Sequence, residues 1–513
     1  MALLWLSFPP VGLWWLAWCA PVPLIGLCAV TRMPGIRPYR SIWLAGLLYW
    51  LATFYFIPIP HWALWFGWLT VSLYMSLYTI LFVGAARMLV HHFRVPMLIA
   101  VPVTWTGVEW IRCVFLTGMG MACLSHSQFE HPLLIQVADL CGAYTLTFSI
   151  VLFATSLFGL PVVAHRFGLR TSWSHAAGAI ISLALVLAYG QYRLYQAIDV
   201  DQERSIKIAL IQGSVDTDLA ARQETMDRKF DQYCQLTWQA RRESGDIDLI
   251  VWPEGNLPYL DVVPGLGQPT HAVFDSYEAG EYATAAWQTV TGFPEQFETP
   301  VAFLSGTLGS YGKDVAYNSV VLFDKQGDIV DRYFKNHRVM FGEYFPILEW
   351  FPSFSQVFAS TTAGTQPESF EAQQVKFAPS ICFETTVPQL IRRQVNQLAA
   401  DGNEPDALVN LTNDGWFYGT SCLDFHLACN VFRAVEMRKP NLVCANTGFS
   451  AEIDSCGRIL QRGPRRDVGV LLVDFRPVKR NSLYRVIGDA VPIGMGVITL
   501  VAAGFGWRIR KNS

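Results

Sequence analysis

Apolar residues run almost unbroken from Met1 to Tyr192, give way to short alternating stretches, and return in one last run before a basic tail. Seven stretches are apolar enough to cross a hydrocarbon layer of about 30 Å, which takes roughly 20 helical residues. They are Leu13 to Val30, Ser41 to Ile57, Trp62 to Ala86, Met97 to Phe115, Ala143 to Val163, Ser174 to Tyr192 and Ala490 to Trp507. The fourth contains Glu109 and Arg112, which lie three residues apart and so can meet on one helix face instead of facing lipid.

From Arg193 the pattern changes to apolar alternation between turn signals. The runs SIKIALIQG, DLIVWPE, VAFLSGTLG, AYNSVVLFD, IVDRYFK, KFAPSICFE, DALVNLTND, LVCANTG and GVLLVDF predict strands. Helical periods fall between several of them, at Ala220 to Glu243 and Val387 to Ala400. The expected organisation is an α-helical polytopic membrane domain over residues 1–192, an α/β domain over 193–487, and a last membrane helix with a basic tail over 488–513.

Basic residues set the orientation. Arg32, Arg37 and Arg40 follow the first span, Arg87 and Arg94 the third, and Arg166 and Arg170 the fifth; Arg508, Arg510 and Lys511 follow the seventh. The alternate loops, Pro58 to His61 and Gly118 to Gly142, hold no Lys or Arg. The basic set is expected on the cytoplasmic side and the polar insert outside. An odd number of spans then puts Met1 outside, although MALLWLSFPP has no basic flank to orient it, so a first helix is expected to be missing and a signal peptide is disfavoured.

Composition agrees with a membrane protein. Hydrophobic residues make up 52% and charged residues 15% of 513 positions, and mean hydropathy is +0.28. The net charge of −3, without any long Lys/Arg run, gives no nucleic-acid surface. The eleven cysteines form no CxxC pair, which argues against a zinc ribbon or a thioredoxin-type site.

Three predicted strands end in reactive groups: Glu254 in DLIVWPEGNLP, Lys335 and Glu343 in IVDRYFKNHRVMFGEYFP, and Cys382 in KFAPSICFETTVP. Strand ends are where α/β sheets keep active sites. A thiol with a pKa near 8.5 is mostly protonated at neutral pH, so nucleophilic attack on an ester or amide needs a base, and Glu254 suits it. The tetrahedral oxyanion that follows calls for fixed donors, for which Lys335 and the backbone N–H of Phe383 are placed. Glu343 suits holding Lys335, and Glu384 suits orienting the thiol or assisting proton transfer. Asn413, Asp414 and Trp416 are read as shaping a loop beside the nucleophile. The aromatic stretch Glu343 to Phe358, with Trp350 and Phe351, is read as a lipid-facing lid or acyl-chain wall, the alternative being a hydrophobic loop packed on its own domain. Cys422, His426 and Cys429, at helical spacing, read as a packed helix face and not as metal ligands. His337 reads as structural or orienting.

These strings resemble the nitrilase superfamily, whose Glu, Lys and Cys triad occurs in this chain order. With the flanking helices, the chain is similar to its membrane-embedded branch, the apolipoprotein N-acyltransferases. The resemblance extends over SFPPVGLWWLAW, WTGVEWIR, WPEGNLP, KNHRVMFGEYFP, ICFE, LTNDGWF, FRAVEMRKP and NTGFSAEID. It departs at Phe383, where the family often has Tyr, and at the absent first helix. What the resemblance implies is an α-β-β-α sandwich and a two-step reaction. Cys382 takes a fatty acyl chain from a phospholipid, and the thioester passes it to the α-amino group of a lipid-modified N-terminal cysteine of an apolipoprotein. Glu254, Lys335 and Cys382 are the triad by position, with Glu343 and Glu384 as supporting carboxylates. No cofactor or metal is implied. The expected partners are a phospholipid donor, a diacylglyceryl-modified apolipoprotein acceptor and the bilayer, and the expected form is a monomer in the bacterial cytoplasmic membrane with its catalytic domain on the outer face. The rival readings are a membrane-anchored amidase, in which water resolves the thioester, and a transporter or binding scaffold, for which only Glu109 and Arg112 offer anything.

Overall fold

A computed structural model of the protein describes all residues except 63, 168, 197–198, 202, 218–222, 261–280, 297–301, 311–315, 341, 345–360 and 513. The chain divides into two compact units. The first is Met1–Ala197 with Thr420–Glu436 and Ser482–Ser513, and the second is Ile198–Gly419 with Met437–Asn481. The segment Thr420–Glu436, which the polarity pattern had placed within the α/β domain, thus groups with the helices.

In the first unit, Leu64–His92, Met97–Val114, His175–Tyr195 and Ala490–Arg508 are long and apolar enough to cross a membrane. A fifth candidate is broken: Pro132–Cys141 and Tyr144–Gly159 are bent by 115°. Helix Pro38–Thr53 has 16 residues, about 24 Å at 1.5 Å per residue. The expected first span does not form as one helix. Leu13 to Val30 is a short 3-10 turn, Trp14–Trp18, followed by the eight-residue helix Val22–Ala29. Pro21 and Pro23 explain the break, since a proline inside a helix removes a hydrogen bond and clashes with the preceding turn. The end of that short helix is capped from elsewhere: the Arg87 guanidinium donates to the Leu27 and Thr31 carbonyls at 2.8 and 3.0 Å and also to Val30, groups a helix C-terminus leaves unsatisfied.

Glu109 and Arg112 are both buried, 3.8 Å apart. Each makes hydrogen bonds to backbone. The Glu109 carboxylate accepts from the Leu124 N–H at 2.7 Å and the Thr147 hydroxyl at 2.6 Å, and Arg112 donates to the Met119 and Met121 carbonyls, both at 2.7 Å. Cys422, His426 and Cys429 lie buried along helix Cys422–Met437. No group of three or more His, Cys, Asp or Glu among the described residues is arranged to hold a metal.

The second unit is built on two six-stranded sheets. One runs, in spatial order, Gly469–Phe475, Ile206–Gln212, Leu249–Leu260, Ala302–Ser310, Ala316–Phe323 and Ile329–Phe334. The other runs Ile459–Arg462, Ala451–Ile453, Asn441–Ala445, Ala407–Thr412, Val375–Ile381 and Phe370–Ala372. Between them lies one core, in which Ile208, Leu210, Leu249, Val251 and Leu304 face Phe377, Ile381, Val409, Leu411 and Leu442. On the outer face of the first sheet, helix Gln223–Ser244 buries Phe230, Tyr233, Leu236 and Ala240 together with Trp252, and Trp287 packs into the same cluster. Helix Pro388–Ala400 follows the second sheet's Val375–Ile381 and buries Leu390, Ile391, Gln394, Val395 and Leu398, one face at helical spacing. The result is an α-β-β-α sandwich. All eleven cysteines are free thiols. Cys444 donates to the Val251 carbonyl at 3.2 Å, while Cys456 accepts from Arg480 at 2.7 Å, so those two serve separate places in the core.

Close helix packing in the first unit depends on a glycine. A Cβ at Gly107 would sit 2.5 Å from the Met495 carbonyl oxygen, whereas one at Gly494 would meet nothing within 4 Å. Gly107→Val is therefore expected to destabilise the folded protein by about 1–3 kcal/mol through overpacking. Gly494→Ala should leave the thermal midpoint in detergent unchanged, and equal midpoints for the two variants would contradict this packing.

Candidate active site

Lys335 and Cys382 are delivered by the ends of strands, whereas Glu254, expected at a strand end, sits at a break in pairing inside a strand that continues to Leu260. Glu254 lies where strand Leu249–Leu260 loses regular pairing, between Trp252 and Leu257. Gly255 there takes φ +66°, and the neighbouring strand passes so close that a Cβ at Gly306 would lie 2.5 Å from the Glu254 Cα. Only glycine at 306 lets the carboxylate turn in at this point.

Lys335 follows strand Ile329–Phe334. Its N–H bonds the Asn318 carbonyl at 2.9 Å, and its own carbonyl accepts from Gly364 at 2.8 Å. The side chain is 2% exposed. Its ammonium lies 2.8 Å from Glu343 Oε1 and 3.4 Å from Glu254 Oε1. Asn318 joins the same two carboxylates, its Nδ2 donating to Glu254 Oε1 at 2.7 Å and to Glu343 Oε1 at 3.2 Å. The other oxygen of each acid is held by backbone: Glu254 Oε2 accepts from Asn413 N–H at 3.0 Å, and Glu343 Oε2 from Val339 N–H at 2.8 Å. Burial by itself would lower the pKa of Lys335, but the charges of Glu254 and Glu343 outweigh it and raise it above the usual lysine range. For Glu343, burial works upward and the Lys335 charge and three donors outweigh it, so its carboxyl is held below the usual value.

Cys382 ends strand Val375–Ile381 with φ 50° and opens the short turn Cys382–Thr386. A left-handed backbone is costly for a residue with a Cβ and is tolerated where the surroundings over-determine it. Here they do. The Glu384 carboxylate accepts from Ile381 N–H at 2.8 Å on one side of the turn, and from Asn336 N–H at 2.6 Å and His337 N–H at 2.9 Å on the other, with the Tyr333 hydroxyl at 2.9 Å. Asn410 donates to the Cys382 carbonyl at 3.4 Å. Burial, then the nearby Glu254 charge, raises the Cys382 thiol well above its ordinary pKa, with Lys335 and a hydrogen bond with Thr412 acting in the opposite sense. Burial likewise lifts Glu384 to about 7, against the pull of its backbone donors and of Lys335.

The structure thus brings Glu254, Lys335, Glu343 and Asn413 into one hydrogen-bonded cluster, and the Cys382 thiol lies within the electrostatic reach of Glu254 and Lys335. Glu384 is spent on backbone: its oxygens join the nucleophile turn to the segment after Lys335. Phe383 presents its ring to His337, nearly parallel at 6.1 Å. Trp416 lies half-buried in the turn Asp414–Phe417. Trp350 and Phe351, with most of the stretch read as a lid, lie outside the described residues.

Sequence reasoning missed Asn318, Asn410, Thr412 and Asn446. Asn446 donates to the Asn413 Oδ1 at 2.9 Å and to the Val215 carbonyl at 2.6 Å, and it accepts from the Tyr233 hydroxyl at 2.9 Å. Asn413, oriented this way, holds Glu254 through its N–H. A signal was present: Asn318 and Asn410 interrupt the apolar runs AYNSVVLF and ALVNLT, and a polar group inside a buried strand has to find a partner.

Comparison with known proteins agrees with both units. The family described as "Apolipoprotein N-acyltransferase N-terminal domain" matches residues 2–156, and "Carbon-nitrogen hydrolase" matches residues 207–483. A protein of Rhodopirellula baltica named apolipoprotein N-acyltransferase is 31% identical over 99% of this chain and 96% of its own length. One of the same name from Geobacter metallireducens is 29% identical, covering 98% of this chain and 93% of its own. Among solved structures, Nit3 of Saccharomyces cerevisiae, a nitrilase-superfamily member, covers 53% of this chain and 91% of its own at 17% identity and a TM-score of 0.39. The chain therefore belongs to the apolipoprotein N-acyltransferase family, membrane enzymes that carry a carbon-nitrogen hydrolase domain.

Proposed function

We propose that the protein transfers a fatty acyl chain from a membrane phospholipid, through a thioester on Cys382, to the α-amino group of a diacylglyceryl-modified N-terminal cysteine of an apolipoprotein. The observation that carries this reading is the buried Lys335 ammonium between Glu254 and Glu343, with the Cys382 thiol in the field of the same groups.

The thiol is protonated at neutral pH because burial holds its pKa high. Glu254 takes that proton as the sulfur attacks the ester carbonyl of the phospholipid. Charge develops on the carbonyl oxygen, where Lys335 and the Phe383 N–H stabilise it without reorganising. Collapse of the intermediate breaks the C–O bond, and Glu254 returns the proton to the departing lysophospholipid oxygen. In the second half the acceptor amine attacks the thioester, Glu254 takes the amine proton, and the released sulfur recovers it as the thiol. Glu343 keeps Lys335 charged and in place, and Glu384 holds the nucleophile turn. Asn413 fixes the base, while Trp416, Trp350 and Phe351 are assigned to the approach of the lipid chains. Neither step calls for a cofactor or a metal.

Lipid substrates favour this architecture because exposing an acyl chain to water costs roughly 0.8 kcal/mol per CH₂. The basic loops support placing the α/β unit outside the bacterial cytoplasmic membrane, with residues 193–487 as the catalytic domain between two membrane segments, and the protein acting as a monomer. The hydrolase match supports one rival, in which water resolves the thioester. Purified protein supplied with phospholipid and a diacylated lipopeptide should yield N-acylated peptide and lysophospholipid in equal amounts; free fatty acid without acylated peptide would establish the hydrolase.

Two further outcomes follow from the geometry. Glu254→Gln should lower acylation at pH 7 by at least about 10²-fold. Its residual rate should climb about tenfold per pH unit past pH 9, while the thiol remains mostly protonated, and a flat profile would remove Glu254 from the role of base. Glu384→Gln puts an amide in place of an all-acceptor group facing three N–H donors, and should cost about 1–3 kcal/mol of stability. Its rate loss should not depend on pH in the way that of Glu254→Gln does; a matching profile would make Glu384 a proton carrier.

A further inference from the structure

Helix Met97–Val114 ends just after Cys113, and the chain returns through Leu116 at φ 50°, Gly118 at φ 81° and Ala122 at φ 54° to Cys123. Two non-glycine residues at positive φ in so short a turn persist only if the surroundings hold them. Arg112 is one such hold. Besides Met119 and Met121, its guanidinium reaches the Ala122 carbonyl at 3.4 Å and Cys123 Sγ at 3.3 Å. The same arrangement brings Cys123 Sγ to 3.7 Å from Cys113 Sγ, with both residues 3% exposed. That separation is van der Waals contact between sulfurs. A covalent S–S bond is about 2.05 Å long, so closing the gap takes less than about 2 Å of movement.

We propose that Cys113 and Cys123 are a modification site: they close to a disulfide that pins this return turn to the end of the helix carrying Glu109 and Arg112. The inference rests on the outward placement of the α/β unit proposed above: the loop Gly118 to Gly142, which holds no Lys or Arg, belongs to the same side by the alternation of basic loops, and disulfides persist on the oxidising side of the membrane. Closure is an exchange with a disulfide-bearing oxidant of that compartment, an oxidoreductase or a small disulfide. One S–S bond breaks in the oxidant and one forms between Cys113 and Cys123, and the two electrons and two protons of the thiols leave as two thiols on the oxidant.

The test uses the full-length protein, extracted without reductant and with N-ethylmaleimide present from lysis onward. One portion is incubated with oxidised glutathione before labelling. Cyanogen bromide cleavage at Met119 and Met121 puts the two cysteines on separate fragments, and Cys141, on the second fragment, reports that the reagent has access. The expected result is that the fragment ending at Met119 and the one starting at Ala122 stay joined, carry no maleimide at Cys113 or Cys123, and separate with dithiothreitol. Bridging in either portion supports the proposal; fragments that separate without dithiothreitol in both portions, whether or not their cysteines carry maleimide, overturn it. In parallel, dithiothreitol should lower the thermal midpoint of the parent protein but not that of the Cys113→Ser/Cys123→Ser variant. Orientation is read separately: cleavage of the tail Arg508 to Lys511 by protease added outside intact cells would refute the outward placement without bearing on the sulfur geometry.

Discussion

A buried ammonium sets the terms for the α/β unit. Lys335 is almost wholly out of water, and an unpaired charge there would cost more than a domain of this size can spare. It is tolerable because Glu343 and Glu254 lie on it at 2.8 and 3.4 Å, and because Asn318 occupies the space between those acids. The arrangement fixes where two strands must end and a third must break its pairing. Ile329–Phe334 has to deliver the lysine, Leu249–Leu260 has to break its pairing at Gly255 to present Glu254, and Val375–Ile381 has to stop in a left-handed Cys382. The electrostatics follow from the same placement. One positive charge serves two acids, so the donors that the proposed reaction calls on are already oriented.

Around that charge, carboxylates and amides do the work of fixing backbone. Glu384 ties the Cys382 turn to the segment after the lysine, and Asn446 orients Asn413, whose N–H restrains Glu254. The helical unit follows the same logic on its own scale: Glu109, Arg112 and Arg87 each satisfy backbone groups that lipid would leave without partners. Buried polar residues in this chain are thus joints. Removing one leaves its partners unpaired, which costs more than the contact itself is worth.

Much of this was legible in the sequence. The alternation of apolar and polar positions located most strands and the long helices, because burial on one face imposes those periods. The strings around Glu254, Lys335, Glu343 and Cys382 stood out because charged groups follow runs that have to be buried. Three features were not legible. Leu13 to Val30 is apolar enough to span, yet Pro21 and Pro23 break it, and hydropathy alone does not weigh backbone geometry. Thr420–Glu436 groups with the helices, although the polarity pattern had assigned it to the α/β domain. The partners of Asn318, Asn410 and Asn446 come from distant parts of the chain, so the sequence signals only that some partner must exist.

In the proposed reaction Glu343 acts through Lys335, holding the ammonium that stabilises the developing charge. A double-mutant cycle measures this directly, with single-turnover acylation of the enzyme by phospholipid followed by intact mass for the parent, Lys335→Met, Glu343→Gln and the double variant. The double variant should be no slower than Lys335→Met alone, because removing the lysine removes what Glu343 acts upon. Independent losses that multiply in the double variant would contradict it.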